Sequence, residues 1–64
     1  MKRRKLMQHL IQHGCAVLRE GALHTIVINR ANNNHSQVPR HAEIKAGTAH
    51  GICKDLEIPI PTQK

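Results

Sequence analysis

Apolar residues recur at two different periods along this chain, and the changes of period mark out its elements. In "KRRKLMQHLIQH", residues 2–13, Leu6, Met7, Leu10 and Ile11 fall at helical spacing and make one apolar stripe. Arg3, Arg4, Lys5, Gln8 and Gln12 lie mostly outside it. Gly14 then suits the left-handed turn that closes a helix, and His13 stands at the negative end of its dipole. "CAVLRE", residues 15–20, reads as a short strand, with Gly21-Ala22 as the turn after it. "LHTIVIN", residues 23–29, is the strongest strand signal, rich in β-branched side chains and closed by the polar run "RANNN". Its phase stays open: Ile26 and Ile28 share a face with His24, and Leu23, Thr25 and Val27 share the other. "HSQVP", residues 35–39, is a third strand that Pro39 confines to an edge or an end. Connections this short imply an antiparallel meander.

Helical spacing returns in "EIKAGTAHGICKDLEIP", residues 43–59, at Ala49, Ile52, Cys53 and Leu56. Gly47 or Thr48 is the expected cap. Gly51 interrupts the pattern at a cost of about 1 kcal/mol relative to Ala. Pro59 and Pro61 end the helix and leave residues 60–64 as a tail expected to be mobile. The order α-β-β-β-α predicts an α+β domain, a three-stranded antiparallel sheet with both helices on one face. That is the economical way to bury two amphipathic helices. Double-stranded RNA-binding domains share this arrangement.

Sixty-four residues allow one domain, spanning 1–64 with an ordered part at about 2–59. A chain so short buries only about 60% of the surface that its unfolded form exposes, which makes its stability marginal. Aromatic residues are absent, so the core must come from Leu, Ile, Val, Met, Ala and the cysteines. A partner covering apolar surface would stabilise such a protein. Cys15 and Cys53 fit no metal spacing and are too few for a disulfide framework. They read as reduced, small apolar groups, with a Cys15–Cys53 bridge left open. No segment has the length of a signal sequence or a membrane span, so the expected location is the cytoplasm.

Charge narrows the partners. Ten Lys and Arg stand against four Asp and Glu, a formal +6 with the six histidines neutral. The excess is clustered, which points to polyanions, nucleic acid before anionic membrane; the bland alternative is solubility alone. "KRRK" (Lys2, Arg3, Arg4, Lys5) crowds the positive end of a helix dipole, which is mildly unfavourable and calls for another role. RNA-backbone binding is one such role, a solvated helix start is the plain alternative, and a nuclear-localisation run lacks other support. Without aromatics, RNA recognition would rest on phosphates, shape and 2′-hydroxyls. His9 and His13 have a spacing that can chelate a metal, but no carboxylate or cysteine joins them, and no metal or cofactor is expected. His35, His41 and His50 lack matched partners and read as solvated, with His41, beside Arg40, a candidate for a phosphate-facing patch. His24 is either a polar residue at a strand end or an imidazole that the strand exists to hold.

Four segments in order bear on this choice. A basic amphipathic helix ending in "HG", then "VLREGALHTIVINR", then "VPRHAEIKAGT" and a final "ICKDLEIP" together resemble the HicA (YcfA-like) toxin family of bacterial toxin–antitoxin modules. The likeness runs from about residue 3 to 59. It implies the double-stranded-RNA-binding-like fold, mRNA cleavage without a metal, and neutralisation by a HicB-type antitoxin. It also implies that His24 is the one catalytic group, "GALH" standing where the family has a pattern close to Gly-Ser-His. RNA carries its own nucleophile, the 2′-OH, so scission needs only proton transfer and phosphate stabilisation. An imidazole supplies the first, Arg19 and Lys45 are candidates for the second, and Arg40 is a candidate RNA contact. Two rival readings remain: a non-catalytic RNA-binding module of the same fold, and an interaction protein whose charge serves an acidic partner.

Overall fold

The computed structural model describes residues 1–61. Its elements are helix α1 (Arg3–Gln12), strands β1 (Cys15–Glu20), β2 (His24–Asn29) and β3 (Asn34–Pro39), and helix α2 (Ala46–Leu56). The strands form an antiparallel meander in the order β1-β2-β3. Both helices pack on one face, α1 over β1 and α2 over β3. The other face is open.

Leu6 and Leu10 of α1 are fully buried, Met7 packs at the margin of the core, and Ile11 is 60% exposed. The four-residue stripe expected from spacing is thus narrower, an i, i+4 pair of leucines. Gly14, at φ +85°, ends α1 in the left-handed turn that its sequence position predicts. On α2 all four expected residues, Ala49, Ile52, Cys53 and Leu56, are buried. The start of α2 differs from expectation. Lys45 is the N-cap, two residues before Gly47 and three before Thr48, and no side chain caps it.

Cys15 and Cys53 are free and buried in the same core cluster as Val27, Val38 and Ile44. Burial pushes both thiols above their ordinary range, and the neighbouring Cys15 raises Cys53 further. Both therefore behave as small apolar groups.

The phase of β2 is settled by which side chains meet the helices. Thr25, Val27 and Asn29 are buried; His24, Ile26 and Ile28 take the open face. A β-bulge in β1 then breaks alternation. Val17 pairs with Val27, but Arg19, not Leu18, pairs with Ile26, and Glu20 pairs with Thr25. The extra residue swaps the faces of everything after it. Arg19 joins the open face, and Glu20 turns toward Thr25.

The first residues are also fixed. Arg3 N–H donates to the Ala42 carbonyl, Ile44 N–H donates to that of Met1, and Lys2 bridges Glu43. One orphan amide of α1 is satisfied in this way, by backbone and not by a side chain. Lys2 Nζ lies 3.3 Å from Glu43 Oε1. That hydrogen bond, with the N-terminal ammonium nearby, holds the Glu43 carboxyl below the usual carboxylate range. At the other end, His9 Nε2 hydrogen-bonds the Pro59 carbonyl at 2.7 Å, and Pro61 is buried. Ile60 beside it is 54% exposed, and residues 62–64 of the expected tail lie outside the described residues.

Gly51 offers a direct stability test. A Cβ added there meets nothing within 4 Å, and its φ is not in the left-handed region. Gly51→Ala should stabilise the protein by about 0.5–1 kcal/mol, raising Tm by roughly 4–8 °C per kcal/mol in a domain of this size. A melting temperature that stays level or falls would show that helix propensity does not limit α2.

Candidate functional site

His24 opens β2 on the open face of the sheet, opposite Pro39 of β3, and its side chain is exposed. The turn before it is tight. Gly21 N–H donates to the His24 carbonyl at 2.8 Å, and a Cβ on Gly21 would lie 2.9 Å from that oxygen. Only glycine fits so close a backbone approach, so Gly21 fixes the strand start that carries the imidazole. Arg40 N–H donates to the Leu23 carbonyl, which lays residues 39–41 alongside the turn. Leu23 itself is 76% exposed.

Two open clefts meet at His24. One is lined by Arg19, Ile26 and Gln37 together with the turn residues. The other is lined by Ala22, Leu23, Arg40 and His41. The bulge and the β3 end thus deliver two of the expected cations, Arg19 and Arg40, to either side of the imidazole. Lys45 lines a separate recess with His41, Glu43 and Thr48.

The basic run divides. Arg4 and Lys5 are exposed on the first turn of α1, in the layer behind the sheet. Lys2 is engaged with Glu43, and Arg3 reaches into the structure. Its Nη2 donates to Thr25 Oγ1 at 2.6 Å and its Nε to the Pro39 carbonyl at 3.0 Å. Thr25, fully buried, donates in turn to Glu20 Oε1 at 2.8 Å. The same oxygen accepts from Arg40 Nη1 at 2.7 Å. A continuous chain Arg3–Thr25–Glu20–Arg40 therefore ties α1 to the strand ends beside His24. Sequence reasoning placed Arg3 and Arg40 together as RNA contacts and missed Glu20 and Thr25. Only the unseen bulge brings Glu20 to that face.

The remaining histidines are scattered. The rings of His9 and His13 lie with centroids 4.5 Å apart and planes tilted by 54°, with His9 Nε2 on the Pro59 carbonyl. His35 lines a groove between β3 and α2 with Ser36, Thr48 and Asp55, where Ser36 Oγ donates to Asp55 Oδ2. His50 is exposed on α2. Among the described residues, no three His, Cys, Asp or Glu side chains gather as metal ligands, and no helix is long and apolar enough to cross a membrane.

Comparison with family models, with curated proteins and with solved structures gives no match to this chain.

Proposed function

We propose that the protein is a ribonuclease toxin of HicA type, cleaving mRNA in the cytoplasm with His24 and no metal. The observation that carries the reading is the setting of His24, an exposed imidazole on a rigid strand start between two clefts, each with an arginine. His24 takes the proton from the 2′-OH, O2′ bonds to phosphorus, and the P–O5′ bond breaks. The imidazolium returns the proton to O5′, leaving a cyclic phosphate and a 5′-hydroxyl. Arg19 and Arg40 offset the charge that builds on the phosphoryl oxygens.

A HicB-type antitoxin covering the open face completes the proposal. That face carries Ala16, Ile26 and Ile28 only half-buried, and Leu18 and Leu23 are exposed nearby. A partner that binds only the folded state raises its stability by mass action, so the complex should melt above the free toxin.

One observation favours the non-catalytic RNA-binding module instead. Among the described residues, no side chain hydrogen-bonds the His24 ring, so its orientation is left to the ligand. Two measurements separate the readings. Labelled RNA incubated with the protein and a chelator should be cut; a module of the second kind would bind it intact. RNA affinity should fall with salt at a log–log slope near −0.7 per neutralised phosphate. Replacing Arg19, on the open face beside His24, by Gln should flatten that slope for all sequences alike. Arg3 is unsuitable for this test because its loss would disturb Thr25. An affinity indifferent to salt would exclude RNA and leave the acidic-partner reading.

A further inference from the structure

The Arg3–Thr25–Glu20–Arg40 chain is not needed for proton transfer, and a surface hairpin could close without it. Its terminus is the informative part. Arg40 has its backbone held on the Leu23 carbonyl and its Nη1 held on Glu20. Its side chain nevertheless remains 46% exposed. A guanidinium carries five N–H donors, so fixing one leaves a planar fork free to face the cleft with His24 and His41. Glu20 is itself immobilised from behind, because its Oε1 also accepts from a fully buried hydroxyl that Arg3 holds. Two guanidiniums against one carboxylate leave a net positive charge in the chain.

We propose that the cleft between His24, Arg40 and His41 is the seat of the RNA phosphodiester, and that Glu20, braced by Thr25 and Arg3, is the positioning residue that fixes the Arg40 guanidinium there. This deepens the reading of His24 as the group that serves RNA. A preset bidentate fork loses less side-chain freedom on binding than a solvated arginine and offers its donors in the geometry that a phosphate accepts. Arg19, across His24 on the other cleft, has no such brace among the described hydrogen bonds. The seat therefore gives the site a polarity, with phosphate on the β3 side.

The test uses the full chain and a mixed-sequence hexanucleotide of 2′-O-methyl RNA, which has no free nucleophile and cannot be cut. Titration should move the imidazole NMR signals of His24 and His41 together and leave those of His50 in place. Arg40→Gln and Glu20→Gln should each weaken binding roughly tenfold, the scale of one charge-assisted hydrogen bond. Lys54→Gln, on the last turn of α2, should change affinity by less than about twofold as a control for overall charge. Glu20→Gln that binds as tightly as the parent, or more tightly, would show that the carboxylate masks Arg40 and would overturn the proposal. So would unmoved His24 and His41 signals. Should Glu20→Gln fail to fold, Arg40→Lys decides: it keeps the charge but loses the fork, and parental affinity would overturn the seat. Because the probe is inert, these results are independent of whether His24 performs chemistry, and loss of the catalytic reading would leave them standing.

Discussion

His24→Ala should abolish RNA cleavage while the protein keeps its fold. A positioned general base is worth about 10²–10⁴ in rate, so the residual activity should fall to or near background. The imidazole is exposed on the open face, and surface substitutions of this kind usually move stability by no more than about 0.5 kcal/mol. Melting temperature should therefore stay near the parental value. His24→Gln should be equally inactive, since an amide keeps polarity and hydrogen bonding but cannot exchange a proton near neutral pH. A chelator should change nothing. Cleavage that survives either substitution, or that stops when a chelator is added, would remove this mechanism. A variant that unfolds would make His24 a structural residue of the strand end.

The sheet order and both helices were legible because each rests on a local pattern. Leu6 and Leu10 on one side, and Ala49, Ile52, Cys53 and Leu56 on the other, needed only helical spacing to declare themselves. The β2 strand was likewise set by its β-branched run, and the end of β3 by Pro39. What was not legible depends on contacts distant in sequence. Strict alternation in "CAVLRE" puts Arg19 on the helix side and Glu20 on the open side; the bulge reverses both. "KRRK" looks like four equivalent cations, yet Lys2 pairs with Glu43 and Arg3 is the anchor of a buried hydroxyl. Its apparent conflict with the α1 dipole is partly resolved by these two partners, neither of which sequence spacing suggests. The candidate site follows the same division. His24 was identifiable as a residue, whereas its neighbours Arg40 and His41 come to it only because β3 ends beside the β1–β2 turn.

"RANNN" was legible as a turn but not as a helix cap, and the last prediction rests on that second role. Asn29, 4% exposed, accepts from Ala31 N–H through Oδ1 and donates through Nδ2 to the Leu56 carbonyl at 2.7 Å. Asn32 Nδ2 reaches the same carbonyl, and Asn34 Nδ2 bonds Glu57, the residue that closes α2 in the left-handed conformation at φ 58°. The β2–β3 turn and the end of α2 are therefore one polar unit, with the buried Asn29 at its centre. Asn29→Ala removes one donor and one acceptor and leaves the buried partners short, at a cost of about 2 kcal/mol. A core in a domain this small rarely supplies more than about 3–5 kcal/mol in total, so the loss is a large share of it. Tm should fall by roughly 10–15 °C, given about 4–8 °C per kcal/mol at this size. Asn29→Asp separates the two halves of the role. It keeps the acceptor for Ala31 but sets a carboxylate against the Leu56 carbonyl, at the negative end of the α2 dipole. It should be at least as destabilising as Ala above pH 6, and should recover part of the loss in acid as the carboxyl protonates and again donates. Thermal melts of the three proteins between pH 4 and 7 decide the matter, and an Asp variant as stable as the parent at neutral pH would show that Asn29 does not cap α2.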